Sequence, residues 1–215
     1  PIELNGLPLW METLAATHPT AVDATLGEEL SLELACVAGT QWHSMLLQSI
    51  GYASEAVVAA FLPRLRVWLD ARGDLLGHNE DKGGAAQRLG RVVDILMKHG
   101  DAETRLHLRD VAEQRLRENI PASFAHVWLP SLMRLDADAG VVALQNRVAG
   151  VQPSQRSEAV AWFASLFGDR HDGINLSYPQ FTPAILLKLL RLAYQHVRIA
   201  DDVQHEGSYS PDERD

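Results

Sequence analysis

From Trp10 onward the apolar residues of this chain recur mostly at intervals of three and four, which gathers side chains on one face of an α-helix, and strand-like alternation is scarce. The segment after Ser54 is the clearest case. Val57, Val58, Phe61, Leu62, Leu65, Trp68 and Leu69 form one broad stripe, while Arg64, Arg66 and Asp70 fall largely off it. Ser54 is placed to cap the first turn, because its hydroxyl accepts from an amide that has no intrahelical partner. The same periodicity predicts helices over about 8–17, 27–38, 41–50, 85–99, 102–118, 122–135, 138–149, 154–168 and 183–198, with ends set to within about 2–4 residues. Gly39, Gly51, Gly100, Gly140, Gly150 and the Pro153-Ser154 pair are the expected breakers between them. Short connections make sequential helices antiparallel neighbours. The expected fold is therefore all-α, with antiparallel helical hairpins stacked as a short α-solenoid-like array.

Two segments show how the faces are built. After Asp101, an expected cap, Leu108, Val111, Ala112 and Leu116 are placed to meet a neighbour, while Arg105, Arg109, Glu113 and Arg117 repeat every four residues on another side. Such a stripe is usually solvated, and each opposite-charge contact along it contributes only about 0.2–0.5 kcal/mol. In the last helix, Thr182-Pro183 supplies a cap and a first residue of fixed φ. Ile185, Leu186, Leu187, Leu189, Leu190, Leu192 and Ala193 then cover most of the circumference, which predicts packing on several sides and a central place in its layer.

A faint internal repeat joins Phe61-Leu62-Pro63-Arg64-Leu65 to Trp128-Leu129-Pro130-Ser131-Leu132. Proline removes one backbone donor and crowds the preceding turn, so each helix should bend or start there, with the aromatic filling the space beside it. The longest interruption, Gly73 to Gly84, reads as a surface loop dividing the array into unequal lobes. Residues 1–198 thus form a single helical body with a flexible interruption near 73–84, followed by an acidic tail or linker at 199–215.

Composition narrows the function classes. The chain has 215 residues, 47% hydrophobic and 22% charged, enough to bury a core without disulfides. One cysteine, Cys36, excludes an internal disulfide framework and a thiolate-rich zinc site, which fits a reducing, cytoplasmic setting. Cys36 sits in the apolar run Leu32–Val37 and is expected in the core. Of the net charge of −9, the tail supplies −5 through six acids and one Arg, leaving −4 on the body. That balance opposes a broad nucleic-acid face, although Arg105, Arg109 and Arg117 define the alternative of a nucleic-acid-binding helical module. No apolar run approaches the roughly 20 residues of a membrane span. The start at Pro1 and the polar end "SYSPDERD" suggest a piece of a longer protein.

The sharpest chemical candidate is "FGDRHDGINL", where polar residues interrupt a helical run. His171-Asp172 resembles the adjacent pair of HD-type metal-dependent phosphohydrolases, which also need a His upstream and an Asp downstream. His126 and Asp201 or Asp202 occupy that order. In such an enzyme a metal lowers the pKa of bound water to make the nucleophile. Against it, Gly173 follows the pair at once, and ligands must project from rigid elements into one pocket. The favoured reading is a polar joint in which Asp169, Asp172 and Asn175 bond loop amides and helix ends. An EF-hand reading fails because Gly173 stands where the fifth-position ligand belongs. His78, Asn79, Glu80 and Asp81 do not define a coordination shell. No P-loop, Rossmann fingerprint, nucleophile elbow or His-Glu-x-x-His motif is present. Trp42, Trp68, Trp128 and Trp162 are expected in helix interfaces, and Trp10 is expected to be partly exposed.

The stretches "HSMLLQSIGYASEAVVAAFLPRLRVWL", "AVAWFASLFGDRHDGINL" and "LLKLLRLAYQHVRIADDVQHEGSYSPDERD" resemble the HEAT-like helical-repeat regions of large bacterial multidomain proteins, some of which carry NACHT-type P-loop ATPase domains elsewhere. The resemblance implies a segment that senses, docks or autoinhibits while another domain supplies the activity. The expected function is a non-catalytic scaffold contacting another protein or another domain of its own chain, with no cofactor, no catalytic residue and no membrane association.

Overall fold

The structure, a computed structural model, describes residues 6–37, 45–75, 82–118, 120–151, 156–167, 174 and 176–197. All of its regular elements among these residues are helical. They are α1 (Trp10–Thr17), α2 (Pro19–Ala35), α3 (Met45–Gly51), α4 (Glu55–Asp70), a 3₁₀ turn (Gly73–Leu75), α5 (Lys82–His99), α6 (Ala102–Arg117), α7 (Ala122–Leu135), α8 (Ala137–Ala149), α9 (Arg156–Phe167) and α10 (Pro183–His196). No helix among the described residues is long and apolar enough to cross a membrane.

Contacts gather into two compact units, residues 1–110 with 121–127 and residues 111–120 with 128–215. In the first, α4 touches α1, α2, α3 and α5. Its buried residues, Val57, Val58, Phe61, Leu65 and Leu69, are the core of the expected stripe. Of residues 73–84, Gly73–Leu75 form the 3₁₀ turn and 82–84 open α5, and α4 and α5 belong to this same unit. In the second, α8, α9 and α10 pack on one another. Val141, Leu144 and Val148 of α8, Trp162 and Leu166 of α9, and Ile185, Leu189 and Leu192 of α10 are buried there.

Several expectations are corrected. α2 begins at Pro19, not near residue 27, and only His18 separates it from α1. Pro19 occupies the first turn, where its missing amide costs nothing. Gly27 then falls inside α2, where a Cβ would collide with the Arg64 guanidinium, itself ion-paired with Asp23. Gly140, expected as a breaker, lies inside α8. There it permits a close approach, since a Cβ would stand 2.5 Å from Met133 Cγ and 2.9 Å from Met133 Cα. Pro63 and Pro130 both sit inside their helices, and the aromatics two residues before them, Phe61 and Trp128, are fully buried.

Helix ends divide in the same manner. Asp101 accepts from Thr104 N at 2.7 Å, Asp136 from Ala139 N at 3.0 Å, and Thr182 from Ile185 N at 3.4 Å. Ser54 occupies the N-cap of α4 with extended backbone, yet its buried hydroxyl has no hydrogen-bond partner among the described residues. The expected serine cap is therefore a position without the bond.

Candidate interaction surface

His171 and Asp172 lie outside the described residues, as do Asp169, Asp201, Asp202, the His78–Asp81 run and Trp42. Of the HD-like set only His126 is described. It is half-buried on α7, and burial lowers its pKa. Among the described residues no group of three or more His, Cys, Asp or Glu side chains is placed to hold a metal ion.

The arginine stripe of α6 is largely turned to neighbouring groups. Arg105 Nε donates to Met97 O at 3.2 Å, Arg109 pairs with Asp110 at 2.8 Å, and Arg117 pairs with Glu113 at 2.8 Å. Cys36 is half-buried, not in the core as expected, because it ends α2 instead of continuing it. Trp128 and Trp162 are core residues, Trp68 is half-buried, and Trp10 is 61% exposed, as expected of it.

A buried polar joint that the periodicity does not announce holds the end of α2. The Glu33 carboxylate accepts from Leu46 N at 2.8 Å and Leu47 N at 3.0 Å, two amides in the first turn of α3. Arg88 of α5 donates to the Cys36 carbonyl, and its guanidinium lies 6.0 Å from the Trp68 ring centroid. Trp68 Nε1 donates to Leu34 O at 3.0 Å. Burial lowers the Arg88 pKa. Each group satisfies helix-terminal backbone, with charge assistance from Glu33 and Arg88, so the joint is built for stability.

Clefts open at the surface among the described residues. One of about 420 Å³ lies between α2 and α4 beside Pro63, Val67 and Trp68. One of about 180 Å³ lies between α3 and α5, lined by Tyr52, Arg91, Asp94 and His99 among others. One of about 740 Å³ runs beside the end of α6 and along α8, past Glu113, Arg117, Asp138, Val142 and Arg147. Its wall is shaped by Arg147, which donates to Leu116 O and Glu118 O, both at 2.9 Å, and lies 5.7 Å from the Trp162 ring centroid.

The most pronounced surface feature is on α10. Its buried residues are Ile185, Leu189 and Leu192. Leu187, Leu190 and Tyr194 are instead 47%, 55% and 79% exposed. At about 100° per residue these three fall within an arc of about 60°, nearly opposite the buried stripe. The helix is thus apolar on two faces and packed on one, which corrects the expectation that its neighbours enclose it on several sides. Lys188 and Arg191 border the exposed stripe on one flank; Lys188 pairs with Asp138 at 2.8 Å. The spacing of 187, 190 and 194 was visible in the sequence, but an apolar residue carries no mark of which neighbour is missing. Comparison with known proteins finds no matching family model, no matching curated protein and no matching solved structure.

Proposed function

We propose that this chain is a non-catalytic interaction module, a short solenoid-like stack of antiparallel helical hairpins that presents a surface to another protein or to another domain of a larger bacterial, cytoplasmic protein. The observation that supports the reading is the exposed stripe Leu187, Leu190 and Tyr194 on a helix already anchored by its opposite face. Apolar side chains scattered singly on a surface need no explanation, but three on one arc of one helix form a patch that a partner can cover. Covering the part of each that is still exposed would contribute about 1–2 kcal/mol before the cost of association.

The anchoring matters as much as the exposure. Thr182 caps α10 and Pro183 fixes its first turn, so the stripe is held in helical form before any partner arrives. Such pre-organisation suits recognition, where ordering costs subtract from affinity.

The test places a photo-cross-linking residue at position 190 of the protein in the cell that makes it, with position 29, exposed on α2, as the control. A discrete partner joined at 190, weakened in Leu187→Glu and absent from the control, supports the reading. Cross-linking at 190 no greater than at 29 contradicts it.

A further inference from the structure

The charge along α10 narrows the partner's chemistry. Residues 183–196 contain Lys188, Arg191 and His196 and no Asp or Glu. Arg191 is exposed and makes no ion pair among the described residues, and the Lys188–Asp138 pair joins two side chains that are 55% and 71% exposed. An exposed pair of this kind contributes little and exchanges partners readily. The outer face is therefore an apolar stripe with one cationic flank.

We propose that the outer face of α10 docks an amphipathic helix of a partner protein whose own apolar stripe is bordered by carboxylates. This rests on the interaction reading above and specifies its partner. A helix laid on Leu187, Leu190 and Tyr194 covers them with residues at the same three and four spacing, and carboxylates on its border meet Arg191 and Lys188. A second copy of α10 brings the same apolar stripe but adds cations and no acid. The chain's own segment 199–215 matches the charge, yet offers only Ile199, Ala200, Val203 and Tyr209 as apolar residues.

The test uses two synthetic amphipathic peptides with identical leucine stripes, one bordered by glutamates and the other by lysines. Each is titrated onto the intact chain by fluorescence anisotropy at low and high salt. The glutamate peptide is expected to bind at least about ten-fold more tightly, with an advantage that shrinks as salt rises. Binding is expected to be lost in Leu190→Ser, and the preference to collapse in Arg191→Glu, with circular dichroism of each variant showing retained helix. Equal affinity for the two peptides, or binding that Leu190→Ser leaves intact, overturns the proposal. A preference for the lysine peptide that Leu190→Ser abolishes overturns the acidic partner while the interaction reading stands. Self-association of the intact chain that Leu190→Ser removes overturns it in favour of a second copy. Glutamate-peptide binding that emerges only after Asp201, Asp202 and Glu206 are converted to amides overturns it in favour of the chain's own acidic segment.

Discussion

Glu33 is a buried carboxylate that accepts from two backbone amides in the first turn of α3, where the helix dipole also favours negative charge. Replacing it with alanine leaves both amides without their acceptor. Glu33→Ala is expected to lower stability by about 2–3 kcal/mol in urea denaturation, with Glu33→Gln falling in between. A loss below about 0.5 kcal/mol in Glu33→Ala would mean that the carboxylate does not hold α3. His126 makes a pH-dependent contribution. Burial lowers its pKa below the ordinary 6.5, so the folded protein binds the proton less readily than the unfolded chain. Its contribution is intact above about pH 6.5 and is lost as pH falls through the lowered value. His126→Gln should therefore flatten the fall in stability between neutral pH and pH 5, measured as denaturation midpoints; an unchanged slope would contradict the assignment. Residue identity marked Asp101 and Thr182 as caps, and both bond as such. It did not expose Ser54, whose hydroxyl is placed correctly and left without a partner, because capping depends on a rotamer as well as a position.

At the scale of elements, periodicity located helices far better than their limits. α4 follows its stripe closely, whereas α2 starts at Pro19, eight residues before the expected 27. Gly27 in α2 and Gly140 in α8 each stand where a Cβ would collide with a neighbour. Gly140→Ala shows which effect wins: alanine should gain about 1 kcal/mol in helix propensity, but its Cβ meets the backbone of Met133 at 2.9 Å. Overpacking of this kind costs about 1–3 kcal/mol, so the variant is expected to be destabilised and Gly140→Val more so, as read by thermal melting. A stabilised Gly140→Ala would show that α7 and α8 do not approach closely here. The end of α4 gives a related lesson. Arg72, with φ 60°, occupies the left-handed position that a glycine usually takes, while the neighbouring Gly73 leaves room for the Trp68 ring. A stop signal in the sequence thus identified the right place for a different contact.

At the scale of the molecule, the all-helical class was legible because burial repeats with the helical period across the described residues. The interaction surface was not, since Leu187, Leu190 and Tyr194 look like core residues until the packing of α8 and α9 leaves them outside. The charge distribution was legible in outline, with −5 of the net −9 falling in residues 199–215. It did not reveal that Arg109 and Arg117 spend their charge on Asp110 and Glu113. These carboxylates cancel much of the stripe's positive charge, so duplex DNA binding at physiological salt is expected to be weak and insensitive to Arg109→Glu; a marked, salt-dependent loss in that variant would restore the nucleic-acid reading. The central claim is that α10 is held by one apolar face and leaves a second for recognition. Equilibrium urea unfolding of the intact chain carrying Leu187→Ser and Leu190→Ser tests it most directly, with Leu189→Ala as the buried control. The account predicts that the double variant changes stability by less than about 1 kcal/mol while the control loses about 2–5 kcal/mol. A double variant that loses as much as the control would show that the stripe belongs to the core.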